Sequence, residues 1–176
     1  MSSLVQTQTN TITFTTTLDP GFADPIHLIA TIPTIRPIQG QRNKKAIMLI
    51  MGSRPPSRGS MGCYIYSIYN VCAIHSIIIH LFIHSFFTLP NDHTNTAKPK
   101  RGEAVQTILN NSEETLLDLT KKLGAVITKK YHTPSYVCIN DGVDPISFVS
   151  VIKAVLESLE IKFDEMITQE EDKSEK

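Results

Sequence analysis

The sequence predicts an α/β protein of the α+β kind, with a β-sheet packed against two amphipathic helices. Strand-like segments fill the N-terminal half of the 176-residue chain, and two segments of helical periodicity fill its last third with a short β-branched segment between them. A hydrophobic content of 41% at this length supports one core, or one core plus a loop insertion. We therefore expect a single domain.

Four segments of the N-terminal half have the composition of strands. They are residues 11–16 (TITFTT), 26–32 (IHLIATI), 45–51 (KAIMLIM) and 63–69 (CYIYSIY), and turn-forming Pro and Gly residues separate them. The third segment is apolar on both faces. This predicts a central strand that has helices on one face and a second layer on the other.

The first helix is predicted to begin at Ser112, which can act as an N-cap, with Glu113 and Glu114 near the positive end of the helix dipole. Its apolar positions recur at three to four residues: Leu116, Leu119 or Thr120, Leu123 and Ile127. Pro134 ends it, and residues 135–140 (SYVCIN) form a short strand.

The second helix is predicted to begin at Pro145, because Asp144 can cap it and proline favours the first helical position. Its apolar face is expected to comprise Phe148, Val149, Ile152, Val155, Leu156, Leu159 and Phe163. Residues 167–176 lack apolar periodicity and predict an acidic disordered tail, as residues 1–10 predict a disordered N-terminus. The predicted domain is then 11–166.

Composition narrows the class of partner. Seventeen basic and seventeen acidic residues give a net charge of zero, which argues against a nucleic-acid partner and favours a protein partner. Three cysteines (Cys63, Cys72 and Cys138) leave one without a disulfide partner and show no zinc spacing. A reducing compartment is therefore expected, the cytoplasm first and the nucleus as an alternative.

The loop of residues 52–62 (GSRPPSRGSMG) contains Arg54, Ser57 and Arg58. These residues could cradle an anion, but the loop lacks the GxxxxGK[ST] pattern of a phosphate-binding loop. An exposed turn or a contact with a protein partner is the better interpretation.

Residues 63–89 contain no charged side chain, and residues 71–89 are apolar enough to suggest a membrane span. His75, His80 and His84 would be costly in lipid, which argues against a membrane. The i, i+4 spacing of His80 and His84 suits a metal, yet no further ligand pair completes a site, so we expect no metal and no cofactor. A further hypothesis is that this apolar segment is a translated, retained intron, because Val71–Cys72 can be encoded as GTATGT, a common yeast-type intron donor.

An enzyme is an alternative of another class. Cys138 and His132 would be nucleophile and base, but a cysteine between Val137 and Ile139 in a strand is usually a buried, inert thiol. We expect no catalysis.

With the apolar insert of about 71–100 set aside, the chain resembles the proteasome assembly chaperone 4 family, as a fungal-type member. The similarity is greatest in IMLIMGS and in the succession LTKKL, SYVCIN, FVSVIKAVLESL, and it covers residues 11–69 and 108–166. It departs in the extended N-terminus, the insert and the acidic tail.

The resemblance implies an antiparallel sheet with two helices and a non-catalytic chaperone that pairs with a proteasome assembly chaperone 3 homologue into a sandwich-like heterodimer. That heterodimer would bind a 20S proteasome α subunit, with the α5 type expected, and promote α-ring assembly. The alternatives are a small membrane-anchored protein that uses residues 71–89 and an α/β interaction domain of another kind. The candidate partner-binding residues are Arg54, Ser57 and Arg58 for the α subunit and Tyr64, Tyr66 and Ile68 for the sister chaperone. The alternating face of residues 45–51 is a further candidate for pairing with the sister.

Overall fold

A computed structural model describes residues 10–21, 24–39, 41, 43–54, 62–70 and 102–174, with side chains described as far as residue 168. These residues form six strands and two helices. The strands are β1 (Thr11–Leu18), β2 (Ile26–Pro33), β3 (Ile47–Gly52), β4 (Cys63–Tyr69), β5 (Ala104–Asn110) and β6 (Ser135–Ile139). The helices are α1 (Glu114–Tyr131) and α2 (Phe148–Ser174). The predicted α+β class is confirmed.

The six strands form one sheet in the order β1-β2-β3-β6-β4-β5. Four of the five ladders are antiparallel, whereas β3 and β6 pair in parallel. The antiparallel sheet that the resemblance implies therefore contains one parallel ladder. The parallel pair arises because the chain crosses over through α1 before it inserts β6 beside β3.

Both helices lie on one face of this sheet. The row Phe14–Ala30–Leu49–Val137–Ile65 runs across five strands on that face. At one end of the row Ile65 meets Gly124 of α1, and at the other the ammonium of Lys162 in α2 lies 5.9 Å from the centre of the Phe14 ring. Strand residues of this helix face join the buried residues of both helices in one core.

The helices differ from their predicted boundaries in three ways. The N-cap of α1 is Glu113 rather than Ser112, and it makes no side-chain capping hydrogen bond. In α2 the helix begins at Phe148, although Asp144 accepts a hydrogen bond from the Ser147 amide at 3.2 Å. It continues to Ser174, through most of the segment predicted as an acidic tail.

The strand β5 is an addition to the predicted elements. It pairs with β4. Beyond the last residue of β4, the Asn70 amide donates to the carbonyl oxygen of Glu103 at 3.1 Å, and the Gly102 amide donates to the carbonyl oxygen of Asn70 at 3.2 Å. The insert predicted at about 71–100 therefore leaves and re-enters the sheet at one hairpin end. The insert itself, the first nine residues and the last two lie outside the described residues.

Candidate functional site: the uncovered face of the sheet

The second face of the sheet, here called the outer face, has no described element packed on it. One row across it is Thr13–Thr31–Met48–Tyr136–Tyr66–Thr107, and the next is Thr15–Ile29–Ile50–Cys138–Tyr64. Along both rows the side chains change from hydroxyl groups at β1 to aliphatic and aromatic groups at β3, β6 and β4. The apolar part of the outer face therefore lies at the centre of the sheet, where the sequence predicted a second layer.

Three tyrosines form the aromatic part of this face. The ring centres of Tyr66 and Tyr136 are 4.7 Å apart, and those of Tyr64 and Tyr136 are 6.1 Å apart, both in tilted arrangements. All three are partly exposed. Because rigid aromatic side chains with a polar tip bury much area at low entropic cost, this cluster is suited to contact with a protein.

The outer face carries no formal charge at the strand positions described. Burial, together with the neighbouring Tyr136, raises the pKa of Tyr64 and of Tyr66 above the ordinary value of 10.0. The phenols therefore stay neutral at physiological pH. A neutral, partly apolar surface can be covered by a partner without the cost of burying an unpaired charge.

Tyr64, Tyr66 and Ile68, which the sequence singled out, lie together on this face because alternate residues of β4 point to the same side. Arg54 lies elsewhere: its Nε and Nη2 atoms are 3.1 and 3.0 Å from Asp141 Oδ2, at the end of β6. This ion pair anchors the start of the β3–β4 connection. Ser57 and Arg58 lie outside the described residues, so their proposed contacts stay predictions.

Sequence reasoning missed Tyr136 as a member of the site, whereas Met48 and Ile50 lie on the alternating face of residues 45–51 that the sequence indicated for the sister chaperone. The alternation of SYVCI would place Tyr136 opposite the buried Val137, and the pairing of β6 between β3 and β4 brings it against Tyr66. Met48 is 37% exposed although it lies in a central strand. Exposure of an apolar side chain on a central strand shows that no described element covers the outer face at this point.

Cys138 and His132 do not form a catalytic pair. Burial raises the pKa of the Cys138 thiol, and its Sγ lies 3.2 Å from Asn140 Oδ1. His132 follows α1 and stacks on Tyr69, with ring centres 4.1 Å apart. Cys138 instead pairs with Tyr64, which lies at the opposite end of β4 from Tyr69, so the side chains of Cys138 and His132 are well separated. A cleft of about 520 Å³ between the start of α1 and the β6–α2 connection is lined by neither of them.

Among the described residues, no group of three or more His, Cys, Asp or Glu side chains is arranged to hold a metal ion. Within the same part of the chain, neither helix is both long and apolar enough to cross a membrane. The three histidines and the apolar segment that raised these alternatives lie in residues 71–89, outside the described residues.

In the described part of the chain, both helices lie on one face of the sheet and the other face presents an aromatic surface, an arrangement typical of proteins that bind other proteins. A family model for 20S proteasome chaperone assembly proteins 3 and 4 matches residues 49–160, well over half of the chain. The chain belongs to this family of proteasome assembly chaperones.

The fold agrees with a solved structure of the same kind. A chain in the crystal structure of a chaperone complex for yeast 20S proteasome assembly superposes with a TM-score of 0.54 at 18% sequence identity. The match covers 88% of this chain and 98% of the yeast chain. A search of curated protein sequences finds no match. The family match favours an assembly chaperone over the membrane-anchored alternative.

Proposed function

We propose that this chain is the chaperone 4 member of a heterodimer with a chaperone 3 homologue and that it acts without catalysis. The heterodimer binds a 20S proteasome α subunit, with the α5 type expected, and promotes assembly of the α ring. It works in the cytoplasm, with the nucleus as an alternative location.

The uncovered outer face is the observation that carries this proposal. A sheet is stable when each of its apolar faces is packed against another layer, and the described chain supplies a layer for one face only. A sheet of similar shape from the sister chaperone would supply the other layer and form a sandwich. The tyrosine cluster would then lie near the centre of the interface, where the residues that contribute most to affinity usually cluster.

Titration of the full chain with the separately purified sister chaperone tests this arrangement. Tyr66→Ala should weaken the heterodimer by at least about tenfold, because loss of a central aromatic anchor commonly costs about 2 kcal/mol of binding free energy. Val149→Ala is the matched control, since Val149 is 64% exposed on the opposite side of the molecule. Affinity is measured by isothermal titration, with circular dichroism to check folding.

Equal affinity of wild type and Tyr66→Ala for the sister would contradict pairing through the outer face. The assembly role is tested separately, by adding the wild-type heterodimer to purified α subunits and following ring formation by native mass spectrometry. Rings that form at the same rate with and without the heterodimer would contradict that role.

A further inference from the structure

The connection between β2 and β3 is held against the end of α1 by side-chain hydrogen bonds. Gln39 Nε2 donates to the carbonyl oxygen of Lys130 at 3.0 Å. Asn43 Nδ2 lies 3.3 Å from the carbonyl oxygen of Tyr131 and 3.2 Å from that of His132. The carbonyl groups at a helix end have no partner within the helix, so the connection caps α1.

Arg36 ties the same connection to α2. Its guanidinium pairs with Glu160 and lies 3.2 Å from Asp164 Oδ1. Glu160 also accepts hydrogen bonds from Lys130 Nζ and Tyr131 Oη, each at 2.9 Å. The connection is therefore bonded to both helices, and a partner that contacts it has little conformational entropy left to remove.

Two isoleucines of this fixed connection point to solvent. Ile35 is 66% exposed and Ile38 is 54% exposed, and neither packs on the core. Single exposed apolar residues are common on protein surfaces. Two of them three residues apart on a pre-ordered loop, however, resemble the apolar anchors of a binding surface.

Two lysines flank this connection: Lys44 follows Asn43, whose Nδ2 donates to the Ile38 carbonyl oxygen at 3.0 Å, and Lys129 precedes Lys130, whose carbonyl oxygen accepts from Gln39. The carboxylates of Glu160 and Asp164 are already occupied by Arg36 and Lys130. Lys44 and Lys129 are exposed, and neither has an ion pair with another described residue. The excess positive charge favours a partner surface that carries carboxylates.

We propose that Ile35, Ile38, Lys44 and Lys129 form a second docking surface, here called the loop corner. It binds an acidic surface of the α subunit that offers an apolar pocket to the two isoleucines. This inference rests on the proposed function, and it assigns the binding of the α subunit to a particular surface of this chain. The connection that carries the two isoleucines is bonded to both helices, which lie on the face opposite the outer face, so the sister chaperone and the α subunit can be bound together.

The test uses the full chain in complex with its sister and the purified α5-type subunit as probe. Two double variants are compared with wild type by biolayer interferometry: Ile35→Ser with Ile38→Ser, and Lys44→Glu with Lys129→Glu. Each should bind the α5-type subunit at least tenfold more weakly. The matched control is Val149→Ser with Lys153→Glu, an exposed apolar and basic pair on α2, which should bind as wild type does.

The ionic strength of the buffer distinguishes the electrostatic contribution of the lysines from the apolar contribution of the isoleucines. The loss caused by Lys44→Glu with Lys129→Glu should shrink as ionic strength rises, whereas the loss caused by the serine variants should persist, because only exposed charges are screened. Sister pairing should be unchanged in both double variants, which also shows that they are folded.

The outcomes distinguish this inference from the proposed function. Wild-type affinity for the α5-type subunit in both double variants overturns the loop corner and leaves the assembly role intact. A wild-type heterodimer that fails to bind this subunit overturns the loop corner as its docking surface, while ring formation in the assembly assay still decides the broader role.

Discussion

The two faces of the sheet are formed by the same strands, but their side chains differ in solvent exposure. On the helix face, side chains such as Leu49, Val137 and Ile65 are completely buried. On the outer face, their chain neighbours Met48, Tyr136 and Tyr66 keep part of their surface in contact with solvent. Since successive strand residues point to opposite faces, every strand contributes to both.

The difference separates residues that determine folding from residues available for association. The helix face is aliphatic and fills one core with the residues of α1 and α2. The outer face combines hydroxyl, aromatic and thioether groups with the partly exposed aliphatic side chains of Ile29 and Ile50, and it can bury area on contact. Substitutions one residue apart should therefore have effects of different kinds.

The largest expected effect comes from placing a carboxylate on one or the other face of the sheet, at neighbouring residues of β3. Leu49→Asp should unfold the protein, because an unpaired carboxylate in the core costs several kcal/mol, which is most of the stability of a domain. Ile50→Asp should leave it folded but unable to pair with the sister. Thermal unfolding by circular dichroism and size-exclusion co-elution report the two effects. Similar unfolding by both variants would mean that the outer face is already covered within the chain.

A smaller effect is expected where α1 approaches the helix face most closely. A Cβ atom at Gly124 would lie 2.6 Å from Ile65 Cδ1 and 2.7 Å from Ser67 Oγ. Gly124→Val should therefore lower the free energy of unfolding by about 3 kcal/mol through overpacking. Lys122→Val, at an exposed position of the same helix, should lower it by only about 0.5 kcal/mol. Urea unfolding measures both, and equal losses would contradict the close approach.

The smallest expected effect concerns charge on the helix side. Burial would raise the pKa of Glu160, but hydrogen bonds from Lys130 and Tyr131, with the charges of Lys130 and Arg36, outweigh it and lower that pKa below its ordinary value of 4.5. The ionised Glu160 therefore stabilises the fold at neutral pH, and this contribution is lost as pH falls through its lowered pKa.

Glu160→Gln should then lower the free energy of unfolding at pH 7 by about 1 kcal/mol, since the group is partly exposed. The difference from wild type should shrink as pH falls below the ordinary glutamate pKa of 4.5 and through the lowered pKa of Glu160. Sister pairing should not depend on this variant, because the neutral outer face does not contain Glu160. A constant difference between pH 7 and pH 3, measured by urea unfolding, would contradict the assignment.

Much of the fold was predictable because its periodicity is local. The alternation of CYIYSIY gave β4 its bounds, and the spacing of Leu123, Ile127 and Phe163 identified buried helix positions. Val149 is predicted on the apolar face of the helix, but it is exposed. Phe148 and Val149 are both apolar, so the sequence pattern does not distinguish them, and tertiary packing buries Phe148. The strand β5 was missed because its polar Gln106 points inward, where Nε2 donates to the carbonyl oxygen of Lys121 at 2.7 Å.

The candidate site was predictable in part. Alternation within β4 placed Tyr64, Tyr66 and Ile68 on one face, but the tyrosine and cysteine beside them come from β6, which is distant in sequence, and β3 follows one strand further. Strand order is set by tertiary packing, so no local pattern could bring Tyr136 against Tyr66. The loop corner was equally hidden, because the hydrogen bonds of Gln39 and Asn43 reach a helix about 90 residues away in the chain, with separations of 91 for Gln39 and 88 and 89 for Asn43.

The position of β6 has a consequence for synthesis of the chain. This strand is the last of the six to leave the ribosome, yet it lies between β3 and β4. Until it emerges, the strands already synthesised can pair only as β1-β2-β3 and β4-β5, each group with an open edge that is able to pair with other chains. The sheet closes only when residues 135–139 arrive, so a protein that would assist assembly passes through its own aggregation-prone stage late in translation.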